Sequence, residues 1–203
     1  MEKKEVIKKF GLTTLQSEQI EKYISELIEF NKHTNLVGKS TLKNIWERHV
    51  ADCLQLSFFI EKKNLKIFDL GTGGGLPGIP LSILGYQNIF MIDSVGKKID
   101  FIRSVIKKLS LSAKTEKKRI ENLNIGRADL IISRALAPLH KLLSYSLLLS
   151  NKNTTSLFLK GRSVYNEIEM AKKNYHFNYE IFKSVSSEEG CVLKIKNLKT
   201  KKQ

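Results

Sequence analysis

A short glycine-rich segment constrains the fold of this chain more than any other feature. Glycine occupies positions 71, 73, 74, 75 and 78, directly after the mostly apolar run 67–70. A turn of this kind needs residues that tolerate positive φ and carry no Cβ, so that a ligand can lie against the backbone. A short apolar run ending in such a turn is typical of a buried parallel strand. The segment therefore predicts a strand, loop and helix with a ligand at the carboxyl end of the strand.

The chain from residue 66 onward alternates between strand and helix patterns. Strands are predicted at 67–70, 89–92, 113–116, 130–133 and 156–160, and helices at 77–84, 96–109, 139–149 and 167–173. Two late apolar runs, 179–183 and 191–195, could form an antiparallel edge pair. This alternation indicates a doubly wound, mostly parallel sheet with right-handed crossovers. The predicted fold class is α/β and Rossmann-like.

The first 63 residues are predicted to be a helical extension. Ser17 is a candidate cap for a helix with apolar positions at close to 3,4 spacing, and a second helix is expected to begin near Ser40 or Thr41. No strand pattern precedes Lys66. We therefore divide the chain into the extension, 1–63, and a ligand-binding domain, 64–203.

The net charge of +15 points to a polyanionic partner. Residues 97–119 hold 9 basic and 2 acidic residues, and residues 191–203 hold 5 Lys and no acid. Clusters of this kind create a positive electrostatic potential that attracts RNA phosphates. Only 6 of the 35 basic residues are Arg, so a lysine-rich composition is the alternative explanation of the charge.

The cysteines and the apolar runs indicate the cellular compartment in which the protein is expected. Cys53 and Cys191 lie far apart, and neither has a Cys or His at zinc-like spacing, so we expect no metal. No run is long enough to cross a bilayer, and the first residues lack the apolar stretch of a signal peptide. We expect a cytoplasmic protein with reduced thiols and no membrane contact.

The residues around the glycines separate the candidate ligands. A dinucleotide loop would place a third glycine at position 76, where this chain has Leu76, and no Gly-Lys-Ser/Thr follows to make a phosphate loop. The loop begins with Asp69, whose carboxylate would repel a pyrophosphate and suits a ligand with ammonium and sulfonium charges. This pattern is typical of S-adenosylmethionine-dependent methyltransferases. A nicotinamide-dependent oxidoreductase is the rival interpretation.

Asp93 supplies the second part of the predicted ligand site. It ends the second predicted strand, 22 residues after Gly71, where a carboxylate can accept both ribose hydroxyls. The alternative is that Asp93 only forms a turn with Ser94. Loop and acid together predict a cofactor site that includes Asp69, Gly71, Gly73 and Asp93.

With these residues in view, the sequence resembles the bacterial 16S ribosomal RNA guanine-N(7) methyltransferases, the glucose-inhibited division protein B family. The resemblance covers most of the chain and is most specific in the Gly-Leu-Pro-Gly-Ile-Pro extension of the loop and in the Ser-Arg-Ala motif. The matching segments are Phe30-Asn31, Asn35-Leu36, Arg48-His49 with Asp52, 69–81, Asp93-Ser94, Lys97-Lys98, 132–135 and 159–161. Two local departures are Cys53, where the family often has Ser, and a short stretch between Glu121 and Asp129.

The resemblance implies methyl transfer to N(7) of one guanine in the decoding region of 16S rRNA, with S-adenosylmethionine as cofactor. It further implies that the protein binds the small ribosomal subunit, and we expect a monomer. Carried over by motif, the cofactor contacts are Gly71, Leu76, Ile120, Glu121 and Arg134.

Guanine N(7) carries a free lone pair and no proton, so this chemistry needs alignment and charge placement but no general base. The chain fits it, since it lacks the Asn/Asp-Pro-Pro-aromatic motif of amino methyltransferases and a Pro-Cys nucleophile. Arg134, at the end of the fourth strand, is the candidate catalytic residue, because its fork can bind a phosphate or a purine edge. A surface Arg at a strand end is the alternative.

Three further residues are candidate RNA contacts: Arg48, His49 and Lys160. The alternative for His49 is a histidine that packs within the helix, and the alternative for Lys160 is a lysine in contact only with solvent. Two other functions stay open at this point, namely methylation of another RNA and a non-catalytic ribosome-binding protein that keeps the fold.

Overall fold

A seven-stranded sheet forms the centre of the protein in the computed structural model, which describes residues 1–201. The strands are β1 (Ile67–Leu70), β2 (Ile89–Asp93), β3 (Lys114–Lys117), β4 (Ala128–Arg134), β5 (Ser150–Lys160), β6 (Tyr175–Lys183) and β7 (Cys191–Thr200). Their order across the sheet is β3-β2-β1-β4-β5-β7-β6. The first five strands run parallel, whereas β7 is antiparallel to both β5 and β6. The predicted α/β class and mostly parallel sheet are confirmed.

The helices cover both faces of this sheet. They are α1 (Lys3–Phe10), α2 (Thr14–Asn31), α3 (Asp52–Leu54), α4 (Gly78–Ile83), α5 (Gly96–Lys108), α6 (Leu139–Leu149) and α7 (Val164–Ala171). The first five pack on one face and the last two on the other, and each face has its own apolar core. Within β1, Ile67 points to the first core, whereas Phe68 and Leu70 point to the second, as the period of a strand requires.

The register of the sheet brings three chain segments to one point. Leu70 at the end of β1 pairs with Ile92 of β2 on one side and with Ser133 of β4 on the other. The residues that follow these positions are the glycine loop, Asp93 and Arg134. Three distant parts of the sequence therefore meet at the carboxyl edge of the sheet, where open α/β sheets bind ligands.

One expectation about the N-terminal helices was wrong, and one helix was missed. Thr13, and not Ser17, caps α2: its hydroxyl accepts from the Gln16 amide at 3.2 Å, while the Gln16 side chain accepts from the Thr13 amide at 3.0 Å. Ser17 lies inside the helix and is buried. Helix α1, which precedes this cap, was not predicted.

The second predicted helix is irregular. It begins at Lys39, just before the predicted Ser40 or Thr41, and changes from a 3-10 turn to a π turn at Trp46–Ala51, to α3 and to a second 3-10 turn at Gln55–Phe59. We call residues 39–59 the irregular helix. Interruptions of the π type are frequent at functional sites, because they change the direction of the side chains around them.

The two late runs do form an antiparallel pair. Of these two strands, only β6 lies at an edge of the sheet, since β7 is inserted between β5 and β6. Strand β5 begins six residues earlier than predicted, at Ser150, and β7 continues to Thr200. The last two residues of the predicted domain 64–203 lie outside the described residues.

Candidate cofactor cleft and substrate cavity

The glycine loop has the backbone geometry that its sequence predicts. Gly71, Gly73 and Gly75 adopt φ values of 66°, 58° and 90°, in the left-handed region that side chains disfavour. A Cβ on Gly71 would overlap Cδ1 of Leu136, whereas a Cβ on Gly73 would meet no atom closer than 3.9 Å. The backbone at Gly73 therefore faces open space that a ligand can occupy.

Asp69 supports this loop from below. Its Oδ2 accepts from the Thr72 hydroxyl at 2.6 Å and from the Gly78 amide at 3.0 Å, and the residue is fully buried. The other oxygen, Oδ1, is buried without a hydrogen-bond partner. Burial raises the pKa of the carboxyl to about 7, against the opposing effect of its two donors. An unpartnered buried carboxylate oxygen is what a nearby ligand cation would stabilise.

Asp93 closes the loop from the next strand. Its Oδ2 accepts from the Gly73 amide at 3.1 Å, and its Oδ1 accepts from the Val95 amide at 2.9 Å. The contact with Val95 is the turn that the alternative interpretation described. The contact with Gly73 fixes the glycine loop as well, so Asp93 holds the loop and forms a turn at once.

Four of the predicted cofactor residues line one cleft of about 140 Å³: Gly71, Asp93, Ile120 and Glu121. Tyr145 of α6 and Leu136 also line it, and sequence reasoning missed both because their positions depend on the sheet topology. The Glu121 carboxylate has a lowered pKa, chiefly through a hydrogen bond from its own backbone and also through one from Tyr145. Leu76 is not among the lining residues, since its side chain is buried in the core.

A second cavity of about 380 Å³ adjoins this cleft. Arg48, His49, Arg134 and Lys160, the predicted catalytic and RNA-contacting residues, all line it. Ala135 and Ala137 border the cavity, whereas Leu136 between them borders the cleft. The turn 135–137 is therefore the wall between a space beside the glycine loop and a space beside the arginines.

Arg134 is not a solvated surface residue. Its side chain is 17% exposed, and Nη2 lies 2.5 Å from Nδ1 of His49. Nη1 donates to the Arg48 carbonyl at 3.2 Å and lies 3.4 Å from Oδ2 of Asp52. These three partners and Cys53, whose Sγ lies 3.7 Å from Nη1, belong to the irregular helix, so the N-terminal extension holds the candidate catalytic residue.

His49 is buried and neutral. Its Nε2 lies 2.7 Å from Oγ1 of Thr41, and its Nδ1 faces Arg134. Burial, together with the charges of Arg134 and Arg48, lowers the pKa of the imidazole to about 3. His49 contacts the cavity, but its two ring nitrogens are engaged within the protein. Arg48 itself is exposed.

Lys160 is engaged as well. Its Nζ lies 2.6 Å from Oε2 of Glu167 and donates to the Ala137 carbonyl at 3.3 Å, with only 9% of the side chain exposed. Glu167 also accepts from the Leu139 amide at 2.7 Å. The ion pair therefore fixes the start of α6 and the wall residue Ala137, a connection that no local sequence pattern signals.

Asp52 links Arg134 to the loop between β6 and β7. Its Oδ1 accepts from Ser186 at 2.8 Å and from Gln55 at 3.0 Å. The Gln55 side chain in turn accepts from the Val185 amide at 3.0 Å. Burial raises the pKa of Asp52, while Arg134 lowers it. Sequence reasoning noted Asp52 only as part of the family motif.

A sheet of this order, with a glycine loop after β1 and an acid at the end of β2, defines the Rossmann-like class I fold of S-adenosylmethionine-dependent methyltransferases. Solved structures agree: the ribosomal protein L11 methylase of Lactobacillus delbrueckii subsp. bulgaricus superposes with a TM-score of 0.59 at 19% identity, over 72% of this chain and 76% of that one. M. jannaschii TYW2 in complex with AdoMet gives 0.57 at 14% identity, over 82% and 78%. At these identities the likeness is one of fold.

The sequence comparisons define the family. The chain belongs to the rRNA small subunit methyltransferase G family, also named GidB, whose model matches residues 16–195. The ribosomal RNA small subunit methyltransferase G of Orientia tsutsugamushi (strain Ikeda) is 35% identical, over 88% of this chain and 89% of that protein. The protein of the same name from Rickettsia prowazekii (strain Madrid E) is 34% identical over 91% and 97%. The resemblance inferred from the motifs is confirmed.

Within residues 1–201, no three or more His, Cys, Asp or Glu side chains are grouped so that they could hold a metal ion. None of the helices in that range is long and apolar enough to span a membrane.

Proposed function

We propose that this chain transfers a methyl group from S-adenosylmethionine to N(7) of one guanine in the decoding region of 16S rRNA. The observation that carries the proposal is the pair of adjoining spaces at the carboxyl edge of the sheet: a cleft beside the glycine loop and a cavity beside Arg134, separated by the turn 135–137. The two neighbouring spaces could hold the two reactants side by side, with the cofactor in the cleft and the guanine in the cavity. Family membership supports both reactants.

The cleft residues fit the cofactor. Gly71 would offer backbone, Asp93 a carboxylate for the ribose, and Ile120 and Glu121 the surroundings of the adenine. Gly73 does not line the cleft itself, but its backbone faces open space and Asp93 holds its amide, so it would offer backbone beside the cleft. The unpartnered Oδ1 of Asp69 would stabilise the positive end of the molecule. When bound, S-adenosylmethionine supplies a methyl group on a sulfonium sulfur, which guanine N(7) can take with its own lone pair. Leu76 would contribute through the backbone shape of the loop, since its side chain faces the core.

The cavity residues fit a reaction without a base. His49 and Asp52 both contact Arg134, and Glu167 is paired with Lys160, so these three acid–base groups are already engaged. Arg134 would align the guanine for attack on the methyl group. Arg48 is exposed at the same cavity and would contact RNA phosphate. We further propose a cytoplasmic, monomeric enzyme that needs no metal.

The test is transfer of labelled methyl from S-adenosylmethionine to small ribosomal subunits that lack the modification. Wild-type protein should label the 16S rRNA to about one methyl per subunit. Gly73→Val should abolish both labelling and cofactor binding, because it places a side chain where the ligand lies against the backbone. Wild-type protein that binds the cofactor but labels no RNA would instead indicate a non-catalytic ribosome-binding protein.

A further inference from the structure

We propose that His49 and Asp52 are positioning residues for Arg134, and that His49 acts only as a fixed hydrogen-bond acceptor and not as a base. The proposal rests on the function proposed above, since it explains how the arginine of that site is held. It assigns a role in the reaction to the irregular helix, which carries no cofactor motif.

The direction of each hydrogen bond around His49 follows from what its neighbours can do. A guanidinium donates and cannot accept, so Nδ1 of His49, 2.5 Å from Arg134, must be the acceptor. A neutral imidazole with a free Nδ1 carries its proton on Nε2, which then donates to Oγ1 of Thr41 at 2.7 Å. The Thr41 hydroxyl donates its own proton to the Gly38 carbonyl at 2.6 Å. One tautomer alone satisfies the whole chain from Gly38 to Arg134.

A protonated His49 would break this chain. The extra proton on Nδ1 would place an N–H against the N–H of Arg134, and two cations would share a buried site. Arg134 and Arg48 are the charged groups that face the ring, and both oppose its protonation. His49 therefore cannot take a proton from a substrate without releasing Arg134.

Asp52 holds the other terminal nitrogen of the guanidinium. Its Oδ2 lies 3.4 Å from Nη1, and its Oδ1 is fixed by Ser186 and Gln55. The π turn places His49, the Arg48 carbonyl and Asp52 on the same side of the irregular helix, all toward Arg134. With both terminal nitrogens held, the plane of the guanidinium is fixed relative to the cavity. A fixed plane matters, because small misplacements of an aligning group can cost about 100-fold in rate.

The first experiment compares His49→Ala with His49→Asn, whose Oδ1 can accept near the position of Nδ1. We expect His49→Ala to lower kcat about 10- to 100-fold with KM for the small subunit changed less than about threefold. Affinity for S-adenosylmethionine should stay within about twofold, which also shows that the variant is folded. His49→Asn should recover most of kcat. Equal loss in both variants, with cofactor binding intact, would overturn the role of the acceptor.

The second experiment reads the tautomer directly by ¹⁵N NMR of the imidazole. Wild-type protein should show an unprotonated Nδ1 and a protonated Nε2 that do not titrate between pH 5 and 8. Thr41→Val, which leaves the Nε2 proton of His49 without an acceptor, should lower kcat while Nδ1 stays unprotonated, because Arg134 still needs an acceptor there; Thr41→Ser should restore kcat. A titrating ring, or a proton on Nδ1, would overturn the proposal. These signals need no RNA, so absence of methyl transfer by wild-type protein would instead contradict the proposed function.

Discussion

Asp69 serves the glycine loop at a cost to the stability of the folded chain. Two donors, Thr72 and the Gly78 amide, hold one of its oxygens, while the other is buried without a partner. The loop is thereby fixed before any ligand binds, and burial raises the pKa of the carboxyl to about 7. The sequence indicates an acid at this position, but only the structure shows that its first task is to hold the loop.

A pH dependence of stability follows for Asp69. Its pKa rises from 3.8 in the unfolded chain to about 7 in the folded one, so between these values the folded state binds more protons. The free energy of unfolding should therefore fall as pH rises from about 4 to about 7, by roughly 4 kcal/mol for this group. Chemical denaturation of wild type and Asp69→Asn across this range measures it. The variant should lose this slope, and parallel curves would contradict the assignment.

Elements with a regular period were predictable, and elements shaped by tertiary contacts were not. The strands β1, β2 and β4 follow from short apolar runs and β3 from the alternation of strands and helices, and each lies within two residues of its predicted bounds. The sequence predicted the second helix near Ser40 but not its irregular form, because its contacts with Arg134 and with the loop between β6 and β7 join distant parts of the chain. Gly71 and Asp93 of the cleft were indicated by the glycine pattern and its spacing, and Ile120 and Glu121 by the family resemblance, whereas Tyr145 and Leu136 required the order of the strands.

The corner between β5 and α7 tests whether Lys160 contacts RNA or holds the structure. Its ion pair with Glu167 is largely buried, so Lys160→Met and Glu167→Gln should each lower the free energy of unfolding by about 3 kcal/mol. The double variant should lose less than the sum of the two single losses. Lys172→Met is the matched control, since its pair with Glu169 on the same side of the molecule is exposed and should cost under about 1 kcal/mol. A larger loss of RNA affinity in Lys160→Met than in Glu167→Gln would assign Lys160 to the RNA.

The N-terminal helices and the sheet share one core. Val6, Ile20 and Leu27 belong to the same apolar cluster as Ile67 of β1 and Ile132 of β4. The Tyr23 hydroxyl also donates to the Gly74 carbonyl at 2.8 Å, which connects α2 to the glycine loop. The division at residue 63 separates two kinds of sequence, and the packing joins them around the candidate site.

The charge of the whole molecule predicts a salt dependence. With a net charge of +15, binding to RNA should displace several condensed counterions, and affinity for small subunits should fall about 1000-fold between 50 and 200 mM salt. Affinity for S-adenosylmethionine, measured over the same range, should change little and serves as the control. A nearly flat plot of RNA affinity against salt would show that the lysines reflect a lysine-rich composition and do not bind RNA phosphates.

The most direct test is to map the methyl group. Small subunits that lack the modification are incubated with the protein and S-adenosylmethionine, and the 16S rRNA is then reduced and treated with aniline, which cleaves at N(7)-methylguanosine. We predict one new cleavage, at a single guanine of the decoding region, which is absent with Gly73→Val protein. Methyl incorporation without this cleavage, or cleavage outside 16S rRNA, would contradict methylation of guanine N(7) in the small subunit.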